Sequence, residues 1–183
     1  ELPKSRWYRC NNATSVVIRR KFMSLLNGLI NENVNRHTRD IVTLTATASI
    51  TTADHVGRTL LMGEVGGDAA ATFTLPAATG TGSVFKFVVS VVNTSNYLIK
   101  VADATDTIDG QIMITDADGT DASSMVTAAA SDTITLNGTT TGGGAIGDYV
   151  EVIDIASNQY AVSGMVTCAA GSNPATMFSA TVS

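Results

Sequence analysis

An alternation of Val, Ile, Thr and Phe with small or polar residues dominates the chain from residue 41 to its end. Glycine, asparagine, aspartate or proline interrupts this alternation roughly every eight to twelve residues. Short strands at that spacing are typical of two packed sheets or a barrel. The sequence therefore predicts an all-β body over residues 41–183, a β-sandwich or jelly-roll-like fold of about 8–10 strands.

Two segments carry the strongest strand signal, VFKFVVSVV and DYVEVIDI. In the first, Phe85, Phe87 and Val89 fall on one face of a strand, and Lys86 and Val88 fall on the other. Strands are predicted near residues 41–48, 58–63, 70–75, 84–92, 97–102, 107–115, 132–136, 148–155, 159–167 and 176–182.

A weak internal repeat has the order strand, loop, long strand, turn, strand. It begins at Thr72 with TFTL and again at Thr133, sixty-one residues later, with TITL. Either a duplicated unit or independent β patterning explains it, and two copies are too few for a solenoid.

Residues 1–40 have a different character and are predicted to form a separate basic arm with one amphipathic helix. Apolar residues at three-and-four spacing predict this helix over residues 15–34, with Ser15 as its cap: Ile18, Phe22, Leu25, Leu26, Leu29 and Ile30. The apolar stripe is expected to pack either on its own chain's body or on a neighbouring copy.

Charge divides the chain at the same place. Residues 1–40 hold eight basic and three acidic residues, a net charge of +5, whereas residues 41–183 hold three basic and thirteen acidic residues, a net charge of −10. This asymmetry favours contact between the arm of one copy and the acidic body of a neighbouring copy. The aromatic residues Trp7 and Tyr8 beside basic residues also suit nucleic acid, but protein contact is favoured because Arg and aromatic residues are common in protein interfaces.

No motif predicts catalysis, a metal site or a cofactor. The acidic run around Asp116 lacks the residue order and the closing glutamate of a calcium loop, so turn chemistry is favoured over a weak cation site. His37 and His55 are isolated, and no serine or cysteine lies in a nucleophile motif. The glycine runs near residues 80 and 142 fail as phosphate-binding motifs and are predicted to be loops that can approach another protein closely. No apolar stretch reaches the ~20 residues of a membrane span, so no membrane partner is expected.

Two long segments carry a resemblance to a known group of proteins. HVGRTLLMGEVGGDAAATFTLPAATGTGSVFKFVV and DTITLNGTTTGGGAIGDYVEVIDIASNQYAVSGMV are similar to segments in virion proteins of tailed bacteriophages, particularly marine ones. The resemblance extends over roughly residues 41–180, and the patterns look like those of head decoration (cement) proteins and of tail fibres. It implies no catalytic residues, and for a decoration protein it implies trimers or other clusters that bridge major capsid subunits.

The sequence thus predicts a non-enzymatic, homotrimeric decoration protein on the outer surface of a phage capsid. Its partners would be the major capsid protein and further copies of itself, without a cofactor, and nucleic acid is not an expected partner. The alternative is a tail-fibre or receptor-binding module for host glycans, although only 5% of the residues are aromatic. A third option is an internal head protein that contacts DNA. The predicted capsid or inter-subunit contacts lie in the arm: Trp7, Tyr8, Arg19, Arg20, Phe22, Leu25, Leu26 and Leu29.

Overall fold

A computed structural model describes residues 40–64 and 69–182 of the 183-residue chain. These residues form twelve strands and one helical turn. The predicted helix over residues 15–34 lies outside the described residues. The elements are β1 (Ile41–Leu44), β2 (Ala48–Ser49), α1 (Thr52–His55), β3 (Thr59–Met62), β4 (Ala71–Thr74), β5 (Val84–Val89), β6 (Tyr97–Lys100), β7 (Thr107–Asp116), β8 (Ala122–Val126), β9 (Thr133–Leu136), β10 (Tyr149–Ala156), β11 (Gln159–Cys168) and β12 (Phe178–Ser179).

The strands form two mixed sheets, which confirms the predicted all-β, sandwich-like fold. A seven-stranded sheet has the order β1-β3-β5-β10-β11-β7-β8, and a five-stranded sheet has the order β12-β9-β6-β4-β2. Parallel pairs occur in both sheets. β1 with β3 and β7 with β11 are parallel in the larger sheet, and β4 with β6 is parallel in the smaller one.

The chain crosses from one sheet to the other at each step from β1 to β6. β1, β3 and β5 are parallel neighbours in the seven-stranded sheet, and β2, β4 and β6 are parallel neighbours in the five-stranded sheet. Each connection between two parallel neighbours therefore contains a strand of the opposite sheet. This strand plays the crossover role that a helix usually plays in parallel sheets.

Aromatic rings from both sheets meet in the core between them. Phe73 of β4 stacks on Phe87 of β5 with ring centroids 5.9 Å apart, and Tyr97 of β6 stacks on Phe73 at the same centroid distance. The Tyr97 hydroxyl donates to the carbonyl of Val91 at 2.8 Å, so the buried oxygen is satisfied. Phe85, Phe87 and Val89 are fully buried and their neighbours Lys86 and Val88 are not, as the alternation predicts.

Three elements are missing from the sequence prediction, namely β2, β8 and α1. The single strand predicted over residues 41–48 is wrong, because it joins β1 to β2, and these two strands belong to different sheets. The segment ASSMV of β8 has a single β-branched residue, and it forms a strand by pairing with the long strand β7. Helix α1 is one turn long, and the Thr51 side chain caps it by accepting from the amide of Asp54.

The predicted repeat matches the structure only in its first two strands. β4 and β9 flank β6 in the five-stranded sheet, and β5 and β10 are neighbours in the seven-stranded sheet. The third strands differ, because β6 belongs to the smaller sheet and β11 to the larger. A duplication remains a hypothesis for these two strand pairs.

Candidate interaction surface

The outer face of the seven-stranded sheet carries side chains in straight rows across all seven strands. The strand registers define one such row, here called the methionine row: Thr43, Leu61, Val88, Tyr149, Met165, Met113 and Ser124. They also define a second, here called the mixed row: Ile41, Thr59, Lys86, Glu151, Ser163, Gln111 and Val126. No member of either row is among the buried residues. Together the rows form a surface on which another molecule can lie.

Apolar side chains are concentrated near the middle of the methionine row. Met165 is 56% exposed and Met113 is 42% exposed, and the nearby Ile146, in the loop before β10, is 75% exposed. An open pocket of about 270 Å³ lies among these strands. Its lining residues are Met113, Thr115, Gly147, Asp148, Tyr149, Met165, Val166 and Thr167. A pocket edged by methionines suits an apolar side chain of a protein partner, because methionine adapts its shape readily.

The lysine of the mixed row lies over the aromatic ring of the methionine row. Lys86 Nζ is 4.7 Å from the centroid of the Tyr149 ring, a cation–π distance. Glu151 is the register partner of Lys86 on β10, so the only two charged residues of the two rows have opposite signs and face each other. The surface is therefore close to neutral.

A buried carboxylate fixes the loop that borders the pocket. Asp148 accepts hydrogen bonds from the amides of Gly143 (3.1 Å) and Thr167 (2.8 Å) and from the Thr167 hydroxyl (2.9 Å). Burial raises the pKa of Asp148 above its ordinary value, although these hydrogen bonds act in the opposite direction. The second predicted glycine run is thus held against β11 by its own chain.

The first glycine run is held in the same way at the other end of β10. The Asp154 carboxylate accepts from the amides of Thr79 (3.0 Å), Gly80 (2.6 Å) and Thr81 (3.1 Å), and from the Thr81 hydroxyl (2.8 Å). Burial acts to raise the pKa of Asp154, but the hydrogen bonds outweigh it and leave the pKa below its ordinary value. Both glycine runs were predicted as loops, and both are loops.

Turn-type hydrogen bonds to nearby backbone groups are made by Asp103, Asp116 and Asp118, as the turn interpretation predicts. Asp106 and Asp109 instead accept from distant groups, the amide of Ala78 and the side chain of Gln159. Asp103 accepts from the amide of Thr105 at 2.8 Å, and Asp116 accepts from the amide of Thr120 at 3.1 Å. Asp132, further along the chain, binds the amides of Thr181 (2.8 Å) and Val182 (3.1 Å) and so fastens the C-terminal segment. Among residues 40–64 and 69–182, no group of three or more His, Cys, Asp or Glu side chains lies close enough to hold a metal ion.

His55 and Cys168, the remaining described residues of types that could take part in catalysis, have contacts that fit a structural role. The His55 ring accepts from the amide of Thr51 at 3.0 Å within the single turn of α1. Cys168 is buried, and burial raises the pKa of its thiol, which lowers its reactivity. His37 and Cys10 lie outside the described residues.

All eight predicted contact residues of the arm also lie outside the described residues. The candidate surface is instead formed by residues that the sequence prediction did not select, chiefly Met113, Ile146, Tyr149 and Met165. Alternation along DYVEVIDI and QYAVSGMV was the available signal, since it places Tyr149 and Met165 on the face opposite the core. It did not show that Met113 of β7 lies next to them.

Comparison with known proteins adds no relative. The chain matches no protein-family model, no curated protein and no solved structure. Within the described residues, no helix has the length and apolar character needed to span a membrane.

Proposed function

We propose that this chain is a capsid decoration protein that binds the outer surface of a tailed-phage head and bridges major capsid subunits. In this proposal it acts as a homotrimer and has no enzymatic role. The resemblance of its two long segments to phage virion proteins suggests the class. The observation that supports a docking role most directly is the broad, nearly neutral outer face of the seven-stranded sheet.

Desolvation explains why such a face suits protein docking. Charged groups are costly to remove from water unless they are paired, whereas apolar and small polar side chains are much less so. Of the fourteen residues in the two rows, only Lys86 and Glu151 are charged, and they are register partners. Met113 and Met165 offer exposed apolar area for a capsid partner.

The rigidity of the body supports the same role. Asp154 and Asp148 fix the two glycine-rich loops at opposite ends of β10. A face whose loops are already ordered loses little conformational entropy on docking. Many copies on one lattice would add their modest contacts through multivalency.

A charge-insertion variant tests this proposal. M113E/M165E places two carboxylates at exposed positions, so the fold is expected to survive while capsid binding weakens. Phage heads that lack this chain are mixed with the purified full-length protein, and the bound copies per head are measured after sedimentation. We expect at least about a tenfold weaker binding, because each carboxylate would be desolvated without a partner.

Ile155→Glu is the matched control. Ile155 lies on the same strand as Tyr149 but at its other end, and its exposure of 48% lies between those of the two methionines. We expect I155E to bind heads as the unsubstituted protein does. Undiminished binding of M113E/M165E would contradict the proposed docking face.

A further inference from the structure

The two sheets differ in how their edges are protected. The five-stranded sheet ends in β2 and β12, which are two residues long each. The seven-stranded sheet ends in β1 (IVTL) and β8 (ASSMV), which are four and five residues long and carry neither charge nor proline. Proteins usually protect exposed edges by shortening them or adding charge, and an edge with neither device is a site for strand pairing.

Both long edges present free backbone groups among the described residues. On β8, Thr127 and Asp121 bond to β7, and the alternation of an antiparallel ladder therefore turns the N–H and C=O groups of Ala122, Ser124 and Val126 away from β7. On β1, the carbonyls of Asp40 and Leu44 bond to the segment of β3, so the backbone groups of Ile41 and Thr43 point outward. No described residue bonds to these outward groups.

The side chains at the two edges match as well. Ile41 and Val126 stand at opposite ends of the mixed row, and each is 65% exposed. Thr43 and Ser124 stand at opposite ends of the methionine row. Each row thus begins and ends in a neutral side chain at an edge that no described strand pairs with.

We propose that β8 of one copy pairs with β1 of a second copy, which extends the seven-stranded sheet across the contact. When the second copy keeps the same face outward, its β1 is antiparallel to β8, because β8 runs opposite to β1 within one chain. Val126 then faces the second copy's Ile41, and Ser124 faces its Thr43. These residues have their backbone groups turned outward on both strands, so they form hydrogen-bonded pairs.

A second copy suits these edges because one contact covers both. It satisfies the free backbone groups of β1 and β8 and brings the two exposed apolar residues Ile41 and Val126 together. Pairing of β8 with β8 of another copy would place Val126 opposite Ala122 and leave β1 open. A head-to-tail contact of this kind builds a closed ring when its rotation closes, as in the homotrimer proposed above. The inference rests on that self-association and not on capsid binding.

Cysteine crosslinking tests the pairing on the full-length protein without capsids. In a C10S background, the variant T43C/S124C places two thiols on opposite residues of the proposed ladder. Their Cα atoms would be about 5.5 Å apart, within the range that a disulfide spans. After oxidation, we expect covalent oligomers on a non-reducing gel, and monomers from T43C alone, S124C alone and the control S49C/S124C.

Each alternative gives a distinct result. A covalent dimer from S124C alone would show β8 pairing with β8 and would overturn the inference, as would a double variant that stays monomeric. A series of charged variants, measured by light scattering, gives an independent readout. V126K and V126K/I41K should be monomeric, because a lysine at position 126 then faces an apolar residue or a second lysine. V126K/I41E should form the oligomer again, because the lysine then faces a glutamate. Because no capsid is present, failure here leaves the docking experiment on Met113 and Met165 unaffected.

Discussion

Buried carboxylates set the shape of the loops in this molecule. Asp154 receives three consecutive backbone amides from residues 79–81, and Asp148 receives amides from the other glycine run and from β11. A carboxylate has several acceptor sites, so it satisfies loop amides that no strand ladder reaches. Asp148 and Asp154 therefore hold the two glycine-rich loops in place, a role that could not be predicted from their spacing in the sequence.

Asp154→Asn should destabilise the fold by about 1–3 kcal/mol, because it replaces a buried, charged acceptor of three backbone amides by a neutral side chain with one acceptor oxygen. The free energy of unfolding is measured by urea titration near neutral pH. Asp121→Asn, at an exposed position, is the control and should change stability by less than about 0.5 kcal/mol. Equal stability of the Asp154 variant and the unsubstituted protein would contradict the structural role.

The stability of D154N relative to the unsubstituted protein should also depend on pH, in a direction that the pKa shift of Asp154 determines. The pKa of folded Asp154 lies below its ordinary value, so its contribution is fully present above the unfolded pKa, about 3.9, and is lost as the pH falls through the folded pKa. The stability difference between the unsubstituted protein and D154N should therefore shrink between about pH 5 and pH 2. A difference that stays constant over this range would show that the carboxylate charge is unimportant.

The strands show which parts of the fold can be predicted from sequence. Alternation in VFKFVV predicted the strand β5 and the division of its side chains between two faces, because burial of one face forces a period of two. Alternation has the same form in parallel and antiparallel neighbours, so the parallel pairs of β1 with β3 and β4 with β6 were not predictable from it. β8 escaped prediction since its stability comes from β7 and not from its own residues.

Phe87→Ala should test the contact between the sheets. Phe87 is fully buried and stacks on Phe73 of the opposite sheet, so we expect a loss of about 3–5 kcal/mol in the free energy of unfolding. Val88 is the next residue on the same strand, but its side chain lies on the outer face. Val88→Ala should therefore lower the free energy of unfolding by about 1 kcal/mol or less. Similar losses for the two variants, measured by urea titration, would contradict the assigned faces.

For the molecule as a whole, the sequence predicts a positively charged arm and a negatively charged body. The candidate docking face was only partly predictable, because Met113 and Met165 meet through the parallel pairing of β7 with β11, which brings together positions 52 residues apart. The predicted contacts of the arm rest on composition and periodicity alone. They form a separate hypothesis that needs its own test.

R19E/R20E should weaken head binding by the full-length protein at least about tenfold, because it reverses two positive charges of the arm. R58E/K100E changes the net charge by the same amount within the body and should bind nearly normally. Bound copies per head are counted as for the docking variants. Similar losses for both doubles would indicate a dependence on net charge and not on the arm.

Cryo-electron microscopy of the assembled particle can locate this chain and so tests the proposed capsid role. We expect density for this chain in many copies on the outside of the head, grouped in trimers, with the face of Met113 and Met165 against capsid subunits. Density at the tail tip, inside the head or in only a few copies would contradict it.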